Sequence, residues 1–341
     1  MTAKVVVSLV TYDSAPHLDA CLRSLESQTL AALDVRLWDN ASRDETLKIA
    51  GRHGTMLGGI HKSDRNVGFC AAHNRNIAST SSEYVLVMNP DVVLEPDFAE
   101  TLAGHLDRDP AAGSATGRLY RWSPEPLAGG QWPLRKTLDT TGIYMTRNQR
   151  HLDRGSGQRD RGQYERVEYV FGASGAAAFF RRAMLEDAGA GGKVFDETFF
   201  AYREDADLAW RAQWLGWRCL YVPSAIGYHV RRVLPERRSS LPADINMHSF
   251  KNRFLLRIRN MDAGTYCRLF LPITLRDLAA LAYVLVRERS SLRAFPLIIR
   301  ALPGEWAARR ELFRRRRVSA QEIRSWFSDS PRAIPIAPPS A

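Results

Sequence analysis

The sequence predicts an α/β protein in which a doubly wound, mostly parallel β-sheet carries helices on both faces. Apolar runs rich in β-branched residues recur along the first 95 residues, at 4–10, 34–38 and 84–88. Such runs are typical of strands buried on both faces. Apolar residues at helical spacing lie between them. Alternating strands and helices form parallel sheets whose binding sites lie at the carboxyl ends of the strands.

The later elements are predicted less evenly. Asp13 and Ser14 can cap a first helix, which carries Leu18, Leu22 and Leu25 at helical spacing. Residues 113–170 are irregular, and the Gly- and Arg-rich segment 147–162 is predicted to be a mobile loop. In chain order we also predict a weak strand at 59–61, a loop entering a helix at 66–78, a helix at 205–215 and a strand at 217–222.

Composition restricts the classes of function. The 341 residues include 48 Lys and Arg against 37 Asp and Glu, a formal net charge of +11. This balance favours anionic partners such as nucleotide phosphates, acidic phospholipids or nucleic acid. The four cysteines form no C-x-x-C pair, so we expect neither a zinc site nor a disulfide framework. Cysteines without disulfides are typical of a protein in the reducing cytoplasm, and we expect that location. We read no signal peptide and no apolar run long enough to span a membrane.

The C-terminal part differs from the rest. Residues 262–341 hold 14 Arg and 7 acidic residues between apolar clusters. Two interpretations stay open for 262–330: a helical cap packed on the catalytic domain, or basic amphipathic helices lying on an anionic membrane surface. The Pro-rich segment 331–341 is predicted to be a disordered tail.

Carboxylates follow two of the predicted strands. Asp39 could accept a hydrogen bond from a nucleotide base or ribose, with Thr11 and Tyr12 flanking the base, or it could simply cap the next helix. Asp91 follows a buried strand on a Pro turn. It could hold a divalent cation that neutralises a diphosphate leaving group, or form an ordinary Pro-Asp turn.

A second group of candidates lies further along the chain. Glu204 and Asp205 lie at the start of a predicted helix. They could be there only because the helix dipole favours negative charge at that end. Alternatively, one of the two carboxylates could deprotonate an attacking hydroxyl group. His229 could join Asp91 around Mn²⁺ or Mg²⁺, or be an ordinary buried or surface histidine. Gly175 could allow close approach of the backbone to a sugar or phosphate.

Several ordered motifs together resemble the family 2 glycosyltransferases with the GT-A fold, especially bacterial rhamnosyltransferase-like members. The resemblance covers about residues 4–260. The matching segments are VSLVTYDS, WDNASRDET, RNVGFCAAHNRNI, YVLVMNPDVVL, FGASGAAAFFRR, FDETFFAYREDADLAWRAQWLGWRCLYVPSAIGYH and HSFKNRFLLRIRN.

The resemblance implies roles for individual residues. Asp39 would bind the base, Asp91 and His229 the metal, and Asp205, beside Glu204, would be the catalytic base of the E-D motif. Residues that would shape the donor pocket are Asn66, Gly68, Phe69 and Asn74. The D-x-D-type motif here begins with Asn89, as it does in many rhamnosyltransferase-like members. The Q-x-x-R-W motif of processive synthases is absent, which implies single sugar addition.

These observations lead to one main hypothesis. Residues 1–261 would be an inverting glycosyltransferase domain that transfers L-rhamnose from dTDP-L-rhamnose to a saccharide or lipid-linked acceptor at the inner face of the cell membrane. Transfer of galactofuranose, a hexose or an N-acetylhexosamine from a UDP-sugar is the enzymatic alternative. A catalytically silent binding protein of the same fold is the non-enzymatic alternative. Nucleic acid is not expected as a partner, because no recognition motif accompanies the charge.

Overall fold

The computed structural model describes residues 3–31, 33–122, 135–189, 191–231 and 242–336. In this part of the chain, eleven strands form one mixed sheet, and a separate two-stranded sheet pairs β8 with β9. The strands are β1 Val5–Thr11, β2 Leu33–Asp39, β3 Leu57–Lys62, β4 Tyr84–Met88, β5 Val92–Leu94, β6 Ala112–Arg121, β7 Leu138–Thr140, β8 Ile143–Met145, β9 His151–Asp153, β10 Glu168–Val170, β11 Ala177–Arg181, β12 Arg218–His229 and β13 Ile334–Pro335.

Helices cover both faces of the large sheet. They are α1 Ala15–Glu26, α2 Thr46–Arg52, α3 Gly68–Ala78, α4 Phe98–Arg108, α5 Arg182–Ala188, α6 Glu204–Trp214, α7 Ala243–Asn260, α8 Ala263–Arg268, α9 Phe270–Arg287, α10 Ala294–Arg315 and α11 Ala320–Ser325. Apolar residues of α1, α2 and α4 pack on one face. Those of α3, α5, α6 and the C-terminal helices pack on the other.

The first half of the sheet is parallel. Its central path runs β13-β10-β12-β6-β11-β4-β1-β2-β3, and β1 pairs in parallel with both β2 and β4. Val5, Val6 and Val7 are fully buried, as expected for a strand covered by helices on both faces. Parallel pairing brings the carboxyl ends of these strands to one edge of the sheet. The predicted α/β class and the predicted early strands are therefore confirmed.

The segment 147–162, predicted to be a mobile loop, is ordered. It contains β9, which pairs with β8. The Arg154 side chain is buried, with its guanidinium 4.7 Å from the ring centroids of both Tyr164 and Tyr221. These cation–π contacts and an ion pair with Glu168 at 2.8 Å hold the segment on the sheet. The prediction was wrong because it was based on the frequent Gly and Arg residues, and the contacts that order the segment are made with residues outside it.

The C-terminal helices pack on the catalytic domain. Helix α10 lies against α7, and the Arg309 guanidinium donates to the Met261 carbonyl at 2.6 Å. Buried Arg259 of α7 connects three parts of the molecule, because it pairs with Asp196, with Asp207 of α6 and with Glu305 of α10. Within the described residues, no helix is both long enough and apolar enough to traverse a bilayer.

The Pro-rich tail, predicted to be disordered from residue 331, adds a strand instead. Ile334–Pro335 pairs antiparallel with Glu168 and Tyr169 of β10 at the edge of the sheet. Proline is tolerated there because an edge strand leaves one side of its backbone unpaired. Residues 337–341 lie outside the described part of the chain.

Candidate active site

A cleft of about 1820 Å³ opens at the edge of the sheet where the parallel strands end. It is bordered by residues that follow β1 and β4, by the start of α6, by the end of β12 and by α7 and α9. Most of the residues singled out in the sequence line this cleft: Thr11, Tyr12, Asn66, Gly68, Phe69, Asn89, Asp91, Gly175, Glu204, Asp205 and His229. Asp91 and Asp205, 114 positions apart in the sequence, thus face one space.

Asp91 and His229 meet because β5 and β12 pair antiparallel, with His229 opposite Val92. The His229 Nε2 atom lies 3.4 Å from an Asp91 carboxylate oxygen. On the other side of the ring, His229 Nδ1 donates to the buried Asp139 carboxylate at 2.7 Å. Burial lowers the pKa of His229, but hydrogen bonds to Asp139 and Asp91 raise it to about 9.

This pair fits a divalent cation. A carboxylate and an imidazole at hydrogen-bonding distance from each other are a mixed oxygen and nitrogen donor set, which suits Mn²⁺ or Mg²⁺. Asp139 orients the ring from behind, as carboxylates commonly do for metal-binding histidines. Within the described residues, no cluster of three or more ligating side chains occurs. The protein therefore offers two ligands here, and diphosphate oxygens and water would have to supply the rest.

Asp205 stands at the first turn of α6. Its carboxylate accepts from the Gly175 amide at 3.1 Å and from the Ala206 amide at 2.7 Å. Burial raises the pKa of Asp205 above its ordinary value, and these backbone hydrogen bonds oppose the rise. Burial also raises the pKa of Glu204 to about 8, with a further contribution from the Asp205 charge. At neutral pH Asp205 is accordingly the better candidate for the charged carboxylate.

The backbone that leads into α6 is strained. Phe200, Tyr202 and Arg203 have φ angles of 66°, 72° and 73°, in the left-handed region that side chains other than glycine rarely adopt. Each such residue costs of order 1–3 kcal/mol, and strain of this kind concentrates at functional sites. This segment leads directly into the first turn of α6, where Asp205 lies at the cleft wall in contact with Gly175.

Gly68 begins α3 against this strained segment and gives a testable prediction. A Cβ atom at position 68 would lie 2.6 Å from the Phe200 ring and 2.7 Å from the Phe200 carbonyl oxygen, and φ is +86°. We expect Gly68→Ala to lower the free energy of unfolding by about 1–3 kcal/mol. Urea denaturation measures this. Gly104→Ala in α4 is the control, because its nearest contact would be 3.7 Å away; equal stability of the two variants would contradict the prediction.

Two predicted donor-site residues do not line the cleft. Asp39 is buried, and its carboxylate accepts from the Thr11 hydroxyl at 2.8 Å and from the Ser42 amide at 3.0 Å. In this structure it therefore holds the turn after β2 and the end of β1. Asn74 is also buried; its side chain accepts from the Val194 and Phe195 amides at 3.1 and 2.8 Å. Asn74 thus fastens the segment before α6 to α3, a supporting position rather than a wall of the donor pocket.

Several cleft residues escaped the sequence analysis. Asp139 comes from the irregular region, where no periodicity marked it. Arg231 lies two residues after His229 and pairs with Asp139 at 3.1 Å. Further charged or aromatic side chains in the wall are Arg121, Arg150, His151, Arg203, Arg253, Arg276 and Tyr283. Only two of these arginines lie in segments that resemble the family, Arg203 in 195–229 and Arg253 in 248–260.

Comparison with known proteins decides the family. Residues 6–189 match the family described as Glycosyl transferase family 2. The chain belongs to this family. A relative of this family 2 glycosyltransferase in Mycobacterium tuberculosis strain CDC 1551 is named N-acetylglucosaminyl-diphospho-decaprenol L-rhamnosyltransferase. The two are 31% identical over 249 residues, which cover 67% of this chain and 76% of the relative.

Solved structures confirm the GT-A fold of this family 2 glycosyltransferase. TarS 1–349 of S. aureus, in complex with UDP-GlcNAc, superposes with a TM-score of 0.54 and 16% identity, over 94% of this chain and 90% of TarS. GalNAc-T7 with UDP, GalNAc and Mn²⁺ has a TM-score of 0.55 and 14% identity, over 77% of this chain and 49% of GalNAc-T7. At these identities the likeness concerns the fold.

Proposed function

We propose that this glycosyltransferase is an inverting, non-processive enzyme that transfers a sugar from a nucleotide-diphosphate donor to a lipid-linked saccharide. One observation carries the proposal: the Asp205 carboxylate and the Asp91–His229 pair face the same cleft. A base and a site for the leaving diphosphate, together in one space, are what a single in-line displacement needs.

The donor would lie along the ends of β1 and β4. Thr11 and Tyr12 would flank the nucleotide, with Asn66, Gly68 and Phe69 on the adjoining wall. Asp91 and His229 would hold Mn²⁺ or Mg²⁺, which when bound neutralises charge on the departing diphosphate. Asn89 and Gly175 would border the transferred sugar. The predicted contact of Asp39 with the base stays a prediction.

Asp205 would act as the general base. Its carboxylate takes the proton of the acceptor hydroxyl while that oxygen forms a bond to the anomeric carbon. The bond between the anomeric carbon and the diphosphate oxygen breaks in the same step, and the nucleotide diphosphate leaves with the bonding electrons. Attack opposite the leaving group inverts the anomeric configuration. Burial raises the pKa of the neighbouring Glu204 to about 8. Glu204 would therefore be mostly neutral at pH 7 and would leave the role of proton acceptor to Asp205.

Our proposed donor is dTDP-L-rhamnose, and the acceptor would be joined to its lipid through a diphosphate. The name of the relative in M. tuberculosis, which specifies L-rhamnose and a diphospho-decaprenol acceptor, supports both. Galactofuranosyl, hexosyl or N-acetylhexosaminyl transfer from a UDP-sugar is the alternative donor chemistry. A catalytically silent protein of this fold remains the non-enzymatic alternative.

A donor panel tests the proposed function. Purified full-length protein is incubated with Mn²⁺, a prenyl-diphosphate-linked N-acetylglucosamine and each donor in turn, and released nucleotide diphosphate and glycosylated lipid are measured. We expect transfer from dTDP-L-rhamnose. If only a UDP-sugar supported transfer, that sugar rather than L-rhamnose would be the one transferred. If no donor were either transferred or hydrolysed, the enzymatic role would be contradicted.

The C-terminal helices support a peripheral contact with an anionic membrane on the cytoplasmic side. Helix α9 exposes a continuous apolar face, consisting of Phe270, Leu271, Leu275, Leu278, Leu285 and Val286. Leu271 is 65% exposed and Val286 is 71% exposed. Exposed arginines lie at the two ends of this helix, at Arg268, Arg287 and Arg289, and Arg300 is exposed in α10. An apolar helix face bordered by cations matches an anionic lipid surface.

Vesicle flotation tests this contact. We expect the full chain to float with vesicles containing phosphatidylglycerol, and the double variant Leu275→Glu, Leu278→Glu to bind at least about tenfold more weakly, since burying one Leu contributes about 1.5–3 kcal/mol. Ile60→Glu is a matched control, because Ile60 is exposed on β3 far along the sheet. If the double variant floated as well as the control variant, the apolar face of α9 would not be the contact.

A further inference from the structure

Three arginines in the cleft wall have no part in the donor chemistry above. Arg150 precedes β9, Arg203 precedes α6, and Arg276 lies in α9, yet all three line the same cleft as Asp205. Segments distant in the sequence therefore bring three guanidinium groups to one side of the site. We refer to these residues as the arginine cluster.

The arginine cluster is arranged around His151. The Arg203 guanidinium donates to His151 Nδ1 at 3.1 Å, which requires that nitrogen to be unprotonated. Burial lowers the pKa of His151 well below its ordinary value, and the charges of Arg203, Arg276 and Arg150 lower it further. The central imidazole therefore stays neutral and adds no positive charge of its own. His151 and the three arginines all line the same cleft, and Arg203 contacts the imidazole directly.

Neighbouring cations of the cleft are neutralised by the protein. Arg231 pairs with both Asp139 and Asp153, and the Arg121 guanidinium lies 3.8 Å from an Asp139 carboxylate oxygen. Arg150 differs from these: within the described residues, no carboxylate lies within ion-pairing distance of its guanidinium. Like charges held together in a partly buried cleft repel one another, and a bound anion offsets that repulsion.

The place of the cluster indicates which anion it would take. Arg203 is two residues before Asp205, so the cluster adjoins the proposed base. Arg276 shares α9 with Ala279, Ala280 and Tyr283, which also line the cleft. The apolar face of α9 is on the outer side of that same helix. A ligand with an anionic head and an apolar tail could thus lie with its head at the cluster and its tail along α9.

We infer that Arg150, Arg203 and Arg276 bind the diphosphate through which the acceptor sugar is attached to its prenyl chain. This assignment rests on the proposed function, and it separates two phosphate sites in one cleft. The donor diphosphate belongs to Asp91 and His229, and the acceptor diphosphate belongs to the arginine cluster. Planar guanidiniums suit such a role, because they contact phosphate oxygens in pairs.

The test uses farnesyl diphosphate, a soluble prenyl diphosphate without a sugar. Its binding to the full chain is measured by titration calorimetry with saturating dTDP and Mn²⁺, and farnesol and inorganic pyrophosphate are titrated in parallel. We expect farnesyl diphosphate to bind more tightly than either. Arg150→Gln and Arg276→Gln should each weaken it roughly tenfold to a hundredfold, because each removes a charge-assisted hydrogen bond. Arg203 is left unchanged, since its Nε atom also donates to the Ser249 carbonyl.

Controls separate the possible outcomes. Arg52→Gln removes an exposed arginine of α2, which does not line the cleft, and should bind farnesyl diphosphate like the unchanged chain. Arg150→Lys and Arg276→Lys should retain part of the affinity, and circular dichroism confirms folding. Unaltered affinity in both Gln variants, or no binding to the unchanged chain, would overturn the inference. If the Gln variants lost dTDP affinity to the same extent, the arginine cluster would belong to the donor site instead. Because this readout needs no sugar transfer, failure of the donor panel would be a separate result.

Discussion

Replacing Asp205 with Asn is expected to lower the rate of sugar transfer by about 10²–10⁴-fold, the range that general acid–base groups contribute. The amide keeps the shape of the side chain and can still accept from the Gly175 amide, so the start of α6 should persist. It has no basic lone pair with which to take the proton of the acceptor hydroxyl. Single-turnover kinetics with saturating donor and acceptor measure the effect.

Glu204→Gln is the matched variant for this experiment. The pKa of Glu204 is about 8, so this group is mostly protonated at neutral pH, and an amide imitates its neutral form. We expect a much smaller loss of transfer than in Asp205→Asn, and both variants should bind the nucleotide diphosphate with unchanged affinity. A larger loss in Glu204→Gln than in Asp205→Asn would move the role of base to Glu204.

Asp91→Ala is expected to remove most of the dependence on a divalent cation, with transfer falling roughly a hundredfold to a thousandfold. The carboxylate lies 3.4 Å from His229 Nε2, so its loss takes away one of the two protein ligands at this point. Calorimetric titration of Mn²⁺ in the presence of dTDP should show weakened cation binding. In the unchanged enzyme, EDTA should stop transfer, and added Mn²⁺ should restore it.

Asp97→Ala provides the control for this variant. Asp97 is exposed at the start of α4 and does not line the cleft. Mn²⁺ affinity and transfer should therefore remain close to those of the unchanged enzyme. If Asp91→Ala bound Mn²⁺ as tightly as Asp97→Ala, the cation would have to be held elsewhere.

Much of the site could be predicted from the sequence because the carboxyl ends of parallel strands lie at the same edge of a sheet. Thr11, Asn89 and Asp91 follow parallel strands, and parallel strands end at one edge of the sheet. The strand and helix pattern alone therefore places these residues together. His229 required more, because the strand predicted at 217–222 continues to residue 229 and pairs there with β5.

The other residues of the site could not be predicted, because contacts between segments distant in the sequence determine where they lie. Asp39 follows a strand as predicted, but Thr11 and Ser42 supply hydrogen-bond donors that turn its carboxylate inward. Asp139 lies in an irregular region, where nothing local distinguishes one aspartate from another. Arg276 lines the cleft in α9, next to Asp277, which pairs with Arg257 of α7 at 2.5 Å. The amphipathic pattern of the sequence predicted helices in this region but not which segment they would contact.

The Arg259 contacts have a consequence for how the chain can be divided. Arg259 is buried with Asp207 of α6 and Glu305 of α10, and Trp214 of α6 donates to the Asn260 carbonyl. Ending the polypeptide at residue 261 would strip Arg259 of its Glu305 counter-ion and expose apolar surface on α6. We therefore expect truncation at this point to destabilise the packing of α6 against α7, so that the two parts of the chain unfold together as one cooperative unit.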